Sequence, residues 1–281
     1  MTEKFQPPLA TSWICETCGV QFPESESPPE SCAICEDFRQ YVGLDGQRWT
    51  CLAEMRRRYK NEIAEIAPGI LSIHTQPKFA IGQRALVVKT PGLNVLWDCV
   101  TLIDDATVAA VREFGGISAI AISHPHYYST MAEWSSALGG VPVLIHEADR
   151  EWVMRPADSI QFWSGETKEI GSELTLIRCG GHFEGGQVMH VRNSDQNPGA
   201  LFTGDVIQVC PDRRWVSFMR SYPNYIPLPE SSVRAIAGAV EPFEFDRLYG
   251  AWPKHEIVRG AKEAVRRSAD RYIRALREVI R

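Results

Sequence analysis

The chain has 281 residues, 44% hydrophobic and 23% charged, with a formal net charge of -5 and a pI near 5.9. This is globular composition, enough for one large core plus a small accessory module, and its acidity argues against broad attraction to nucleic acid or anionic lipid. No apolar run approaches the eighteen or so residues of a membrane helix, and "MTEKFQPPLATSW" lacks the apolar core of a secretory signal, so a cytoplasmic protein with reduced thiols is expected.

The first predicted unit covers residues 1–45. "CETCGVQFPESESPPESCAIC" places Cys15, Cys18, Cys32 and Cys35 as CxxC, thirteen residues, CxxC. Two residues between cysteines let a tight turn aim both thiolates at one cation, and two such turns make a tetrahedral sulfur cage. The intervening "VQFPESESPPES" is polar and proline-rich and cannot build a core, so a metal must hold the segment together. The unit resembles a short zinc ribbon or a rubredoxin knuckle. Zinc is favoured, although sulfur ligands alone also accept iron. Four protein ligands close the site, which makes its default role structural.

Residues 46–64 read as a linker, with a helix from about Thr50 to Ala64 ended by Pro68-Gly69. The basic run "MRRRYK" within it reads as a solvated helix face. From residue 65 to 281, short β-branched and aromatic runs recur: "ILSIHT", "ALVVKT", "NVLWDC", "ISAIAIS", "PVLIH", "SIQFW", "LTLIRC", "QVMHV", "ALFTG", "VIQVC" and "RWVSFM". All have strand length. Helical patterns fall at about Asp105–Phe114, Thr130–Leu138, Glu147–Met154 and Pro229–Val240, with a long amphipathic helix from about Glu256 to Ile280. This alternation predicts an α/β or α+β domain whose sheets are covered by helices.

Candidate metal ligands sit just past predicted strands. His124 and His126 follow "ISAIAIS", and in extended backbone side chains at i and i+2 face the same way. His182 follows "LTLIRCGG", Asp205 follows "ALFTG", and His255 follows "DRLYGAWPK". If these strands run in the same sense, the ligands converge at one edge of the sheets.

The series HxH, Gly-Gly-His, Thr-Gly-Asp and a late His before a C-terminal helix resembles the metallo-β-lactamase fold superfamily over about residues 65–281. The resemblance implies an α+β four-layer αββα sandwich with the metal site at one edge of the two sheets. It implies that His124, His126 and His182 form the first metal site, that Asp205 is the bridging carboxylate of binuclear members, and that His255 belongs to a second site. The departure lies in "HPHYYS". The family pattern is HxHxDH, and Tyr128 and Ser129 stand at the Asp and His positions. With only Asp205 and His255 left for a second metal, a one-metal variant is expected, Asp205 serving as fourth ligand or hydrogen-bond partner.

The function expected is hydrolysis of a small ester or thioester. A zinc on three histidines lowers the pKa of bound water to about 7 and polarises a carbonyl. Asp205 would orient the water, and Tyr128 or His255 would protonate the leaving group. His255 has two other readings, contact with a weak second metal and capping of the last helix. Ser129 reads as a helix N-cap. Iron at the same residues would point instead to an oxygenase of the persulfide-oxidising kind, although those members keep HxHxDH. A non-enzymatic sensor or scaffold using the front module is a third reading. Expected partners are a small-molecule substrate, no nucleic acid and no membrane, with self-association into a homo-oligomer left open.

Overall fold

The computed structural model describes residues 10–192 and 198–277. The cysteine-rich front forms a three-stranded sheet of β1 (Thr11–Cys15), β2 (Gln21–Ser25) and β3 (Trp49–Thr50), in order β2-β1-β3, with the short helix α1 (Ala33–Glu36). The linker differs from its expected form. Helix α2 covers only Leu52–Arg58, and the chain then becomes a strand, β4 (Lys60–Ala67), rather than continuing as helix to Ala64. The physical reason is pairing. β4 lies antiparallel on β5 (Ile70–Gln76) across the turn at Pro68-Gly69, and its alternating exposure is that of an edge strand.

β4 and β5 begin a seven-stranded sheet with β6 (Arg84–Lys89), β7 (Asn94–Trp97), β8 (Ala119–Ala121), β9 (Val143–His146) and β10 (Ile160–Trp163), in sequential spatial order. Helices α3 (Asp105–Glu113) and α4 (Met131–Ala137) are the crossovers that make β7, β8 and β9 parallel. Asp104 caps α3, its carboxylate accepting the Thr107 N–H at 2.8 Å. The predicted segment at about Glu147–Met154 is a 3-10 helix, Glu147–Trp152.

A second sheet of six strands contains β11 (Thr167–Ile170), β12 (Leu174–Arg178), β13 (Gln187–Val191) and β14 (Ala200–Gly204). Short strands β15 (Gln208–Val209), β16 (Val216–Ser217), β17 (Met219–Ser221) and β18 (Ile226–Pro227) and helix α5 (Glu230–Val240) intervene before its last members, β19 (Arg247–Gly250) and β20 (Glu256–Ile257). Helix α6 (Ala261–Leu276) follows; the expected end of that helix at Ile280 lies outside the described residues.

The period-2 alternation of the strands sorts their side chains into layers. Leu86 and Val88 face the second sheet and pack with Leu174, Leu176, Met189 and Phe202, while Ala85 and Val87 face outward beneath α3 and α4. The outer face of the second sheet packs Ile177, Val188 and Leu248 against α5 and α6. The result is the four-layer αββα sandwich. β12 and β14 are both antiparallel to β13, and β19 is parallel to β14, so β12, β14 and β19 end on the same side.

Candidate metal centre

The ends of β12 and β14 deliver His182 and Asp205, and the end of β8 in the first sheet delivers His124 and His126. One side-chain atom from each of His124, His126, His182 and Asp205 lies within 4.8 Å of the others, and all four residues are buried. His182 Nε2 and His126 Nδ1 stand 3.3 Å apart, and His124 Nε2 is 3.8 Å from Asp205 Oδ2. Two nitrogens each about 2.0–2.1 Å from one tetrahedral cation are separated by roughly that first distance.

The outer nitrogens of two rings are held by the protein. His182 Nδ1 donates to the Met219 carbonyl at 2.9 Å, leaving Nε2 with its lone pair turned inward. His124 Nδ1 hydrogen-bonds Ser123 Oγ at 2.8 Å, and the buried Asp98 carboxylate fixes Ser123 by accepting its backbone N–H at 2.7 Å. His124 Nε2 and Asp205 Oδ1 are buried and have no hydrogen-bond partner among the described residues. Orphaned inward-facing lone pairs of this kind are costly unless a cation satisfies them.

Electrostatics agree. Burial holds the imidazoles of His124 and His126 well below the usual histidine range and lowers His182 to about 4, so all three are neutral donors at neutral pH. Burial raises Asp205 to about 8, with the phenol of Tyr127 opposing and the charge of Asp98 adding. A residue set of neutral imidazoles and one buried carboxylate fits a divalent metal. Gly204 makes the meeting of the two sheets feasible. Its φ is +52°, and a Cβ there would sit 2.2 Å from Ser123 Oγ, so only glycine lets the Asp205 strand end approach the His124 strand end.

Tyr128 and His255 are not members of this group. Tyr128 is buried, its hydroxyl has no hydrogen-bond partner among the described residues, and its nearest charge is Asp149. Ser129 is held elsewhere, Oγ accepting from Gln83 Nε2 at 3.2 Å. His255 Nδ1 donates to the Pro253 carbonyl at 3.1 Å, and its ring lies 6.2 Å from that of Trp252. Two phenols stand beside Asp205: that of Tyr127, whose ring is 4.3 Å from that of His124, and that of Tyr222, which donates to the Asp205 carbonyl at 3.2 Å.

The four cysteines converge as the CxxC spacing predicts. Cys15, Cys18, Cys32 and Cys35 are buried, with Sγ atoms of Cys15 and Cys35 at 3.5 Å and of Cys18 and Cys32 at 3.7 Å. Gly19 packs this unit onto the sandwich. Its φ is +82°, its carbonyl accepts from Thr101 Oγ1, and a Cβ would lie 2.4 Å from that oxygen.

The unit also reaches the histidines. Arg39, 3% exposed, binds the Asp37 carboxylate with Nε at 2.5 Å and Nη2 at 3.0 Å. Its Nη1 is 3.4 Å from the His182 carbonyl, and the guanidinium lies 3.7 Å over the Phe183 ring. A cavity of about 170 Å³ opens beside the metal group, walled by Thr17, Gln40 and Tyr41 from the front unit and by Lys78, Tyr222 and Trp252 from the large one. Sequence reasoning passed over Arg39, Asp98, Ser123 and Tyr127, because nothing in their spacing marks them.

No protein-family model matches the chain. The uncharacterized protein YmaE of Bacillus subtilis (strain 168) is 52% identical over 266 residues, covering 94% of this chain and 96% of that protein. This chain belongs to the YmaE family. Among solved structures it is similar to the metallo-β-lactamase DIM-1 (TM-score 0.56, 14% identity, 75% of this chain and 97% of that one). It is also similar to MEM-A1, a subclass B3 metallo-β-lactamase from a soil metagenome library (TM-score 0.52, 14% identity, 77% and 97%). At these identities the likeness establishes the fold: this YmaE-family chain has a metallo-β-lactamase fold, with a four-cysteine unit added in front. Among the described residues no helix is long and apolar enough to cross a membrane.

Proposed function

We propose that the chain is a metal-dependent hydrolase with one catalytic cation, acting on a small ester or thioester. The observation that carries this reading is the meeting of His124, His126 and His182, three imidazoles that would leave a coordination position open for water, with Asp205 beside them, Tyr128 outside the group, and Ser129 and His255 hydrogen-bonded elsewhere. When bound, the cation supplies a Lewis acid for a carbonyl and an acidified water. Met219 and Ser123 orient two of the imidazoles. Asp205, beside Tyr127, is the group placed to hold a proton passing between water and leaving group. The small cavity, walled by Tyr41 and Trp252 with Lys78 and Gln40 as polar groups, favours a small substrate.

Zinc is proposed at the four cysteines as the structural ion and zinc at the histidine group. The buried free thiols support a reducing, cytoplasmic setting. The test is elemental analysis after anaerobic purification, run beside a panel of short acyl esters and thioesters. Two zinc ions per chain with ester or thioester turnover is expected, and Asp205→Asn lowers kcat by about a hundredfold. Iron at the histidines with oxygen uptake would replace the hydrolase reading, and three metals per chain would sink the single-cation one.

A further inference from the structure

A second cavity, about 590 Å³, lies apart from the candidate metal site. It lies where β4, β5 and β6 of one sheet meet β19 and β20 of the other. None of the four candidate ligands lines it. It is separated from the metal cavity by the turn after β19, where Trp252 faces one cavity and Pro253 and Lys254 face the other.

Its charge runs against that of the chain, which is -5 overall. Arg84, Arg213, Arg247 and Lys254 line it, against a single acidic lining residue, Glu256. Arg84 already holds Glu256, Nη1 to Oε1 at 2.5 Å. That leaves Arg213, Arg247 and Lys254 without an ion pair among the described residues, three cations around one concavity. Arg213 and Lys254 both sit in the left-handed backbone region, at φ +57° and +67°, a conformation L-residues seldom take. Apart from Ser72 and His74, the rest of the wall is largely apolar and open to solvent: Ile66 is 39% and Val258 71% exposed. Volume, convergent polar groups and apolar lining match those of a small-molecule site.

We infer that this cavity binds a small organic anion, a phosphate or carboxylate carried on an apolar body. Arg213, Arg247 and Lys254 take the anionic group, and Ile66 and Val258 cover the apolar part. The site is independent of the hydrolase reading.

The test is calorimetric titration of the metal-loaded full chain with hexyl phosphate, hexanoate and inorganic phosphate. Hexyl phosphate or hexanoate binds one per chain, weakens as salt screens the charges, and exceeds inorganic phosphate, which lacks the apolar body. Tighter hexyl phosphate assigns a phosphate ligand and tighter hexanoate a carboxylate. In Arg213→Ala/Lys254→Ala, both exposed positions whose loss leaves the core intact, Kd rises by at least about tenfold. A His126→Ala variant binds as the wild type does. Unchanged Kd in the double variant, loss of binding in His126→Ala, or no binding of either organic anion at millimolar concentration overturns the inference.

Discussion

Arg39→Ala is the substitution that tests whether the four-cysteine unit is part of the candidate metal centre. The wild-type guanidinium is buried, bidentate on Asp37, against the His182 carbonyl, and stacked on Phe183 with Trp152 at 4.8 Å. Breaking a buried ion pair by removing one partner costs about 3–5 kcal/mol, and a desolvated cation–π contact about 2. Asp37 is 13% exposed and rehydrates in part, so the loss is roughly 3–4 kcal/mol, or a fall in Tm of about 8 °C for a chain of this size. The contact to Glu184, at 3.6 Å, adds little because that carboxylate is 57% exposed. Burial raises the Asp37 pKa, but Arg39 outweighs it and the net shift is downward. A depressed carboxylate contributes stability above its ordinary pKa of 3.8 and loses it as the pH falls through the lowered value. The gap between wild type and variant therefore narrows in acid. The deciding assay is competition for the histidine-site cation with a chromophoric chelator. Loosening the His182 peptide lowers affinity by about tenfold, as loss of groups that hold metal ligands does, and Arg39→Lys, which keeps the charge without the fork, falls between. The reasoning is refuted if Arg39→Ala keeps its cysteine-bound metal and shows wild-type affinity at the histidines.

Cys15→Ser/Cys18→Ser loses one metal per chain by elemental analysis, and the three-stranded front sheet melts ahead of the sandwich in hydrogen exchange, since that segment has little core of its own. Gly204→Ala drives a Cβ into Ser123 from a left-handed backbone; expressed protein is destabilised by about 3 kcal/mol or more in urea and binds no cation at the histidines. Burial raises Asp149 to about 7, against the pull of the Gly185 N–H at 2.7 Å. A raised carboxyl pKa makes the wild type lose stability as pH climbs from about 4 to 7. Asp149→Asn keeps an acceptor for Gly185 without that penalty. It is therefore more stable than wild type by a few kcal/mol at alkaline pH, roughly 1.4 for each pH unit crossed, and the advantage vanishes near pH 4; a gap independent of pH would contradict the assignment.

Most strands were legible because their side chains alternate between two apolar environments, and a run such as "RALVVK" is apolar on both faces only when both are covered. β4 was not. "KNEIAEIA" carries helix-forming residues and is polar at most positions, so propensity favours a helix. What makes it a strand is its pairing with β5, a tertiary fact. The same limit hid β11, "TKEI", a short edge strand with one buried residue.

The grouping of the candidate ligands was legible for a different reason. Strand ends bring distant residues together, and His124, His126, His182 and Asp205 each lie just past one. What a linear pattern does not encode is rotation about the backbone after the ligand pair. His124 is extended, and Pro125–Tyr127 then turns as a 3-10 helix, which sends consecutive side chains in different directions. Counting along HxHxDH assigns the chemistry to Tyr128. The turn presents Tyr127 to Asp205 and buries Tyr128 near Asp149, in the core shared with Val20 and Cys18 of the front unit. Tyr128 and Ser129 are spent on seating the cysteine unit. Gln21 N–H donates to the Ser129 carbonyl at 3.1 Å, so the residue at the usual second histidine position is itself a docking point for that unit. Restoring Asp and His at positions 128 and 129 would put charge and bulk under the module, so it should unseat the module before it could bind a second ion.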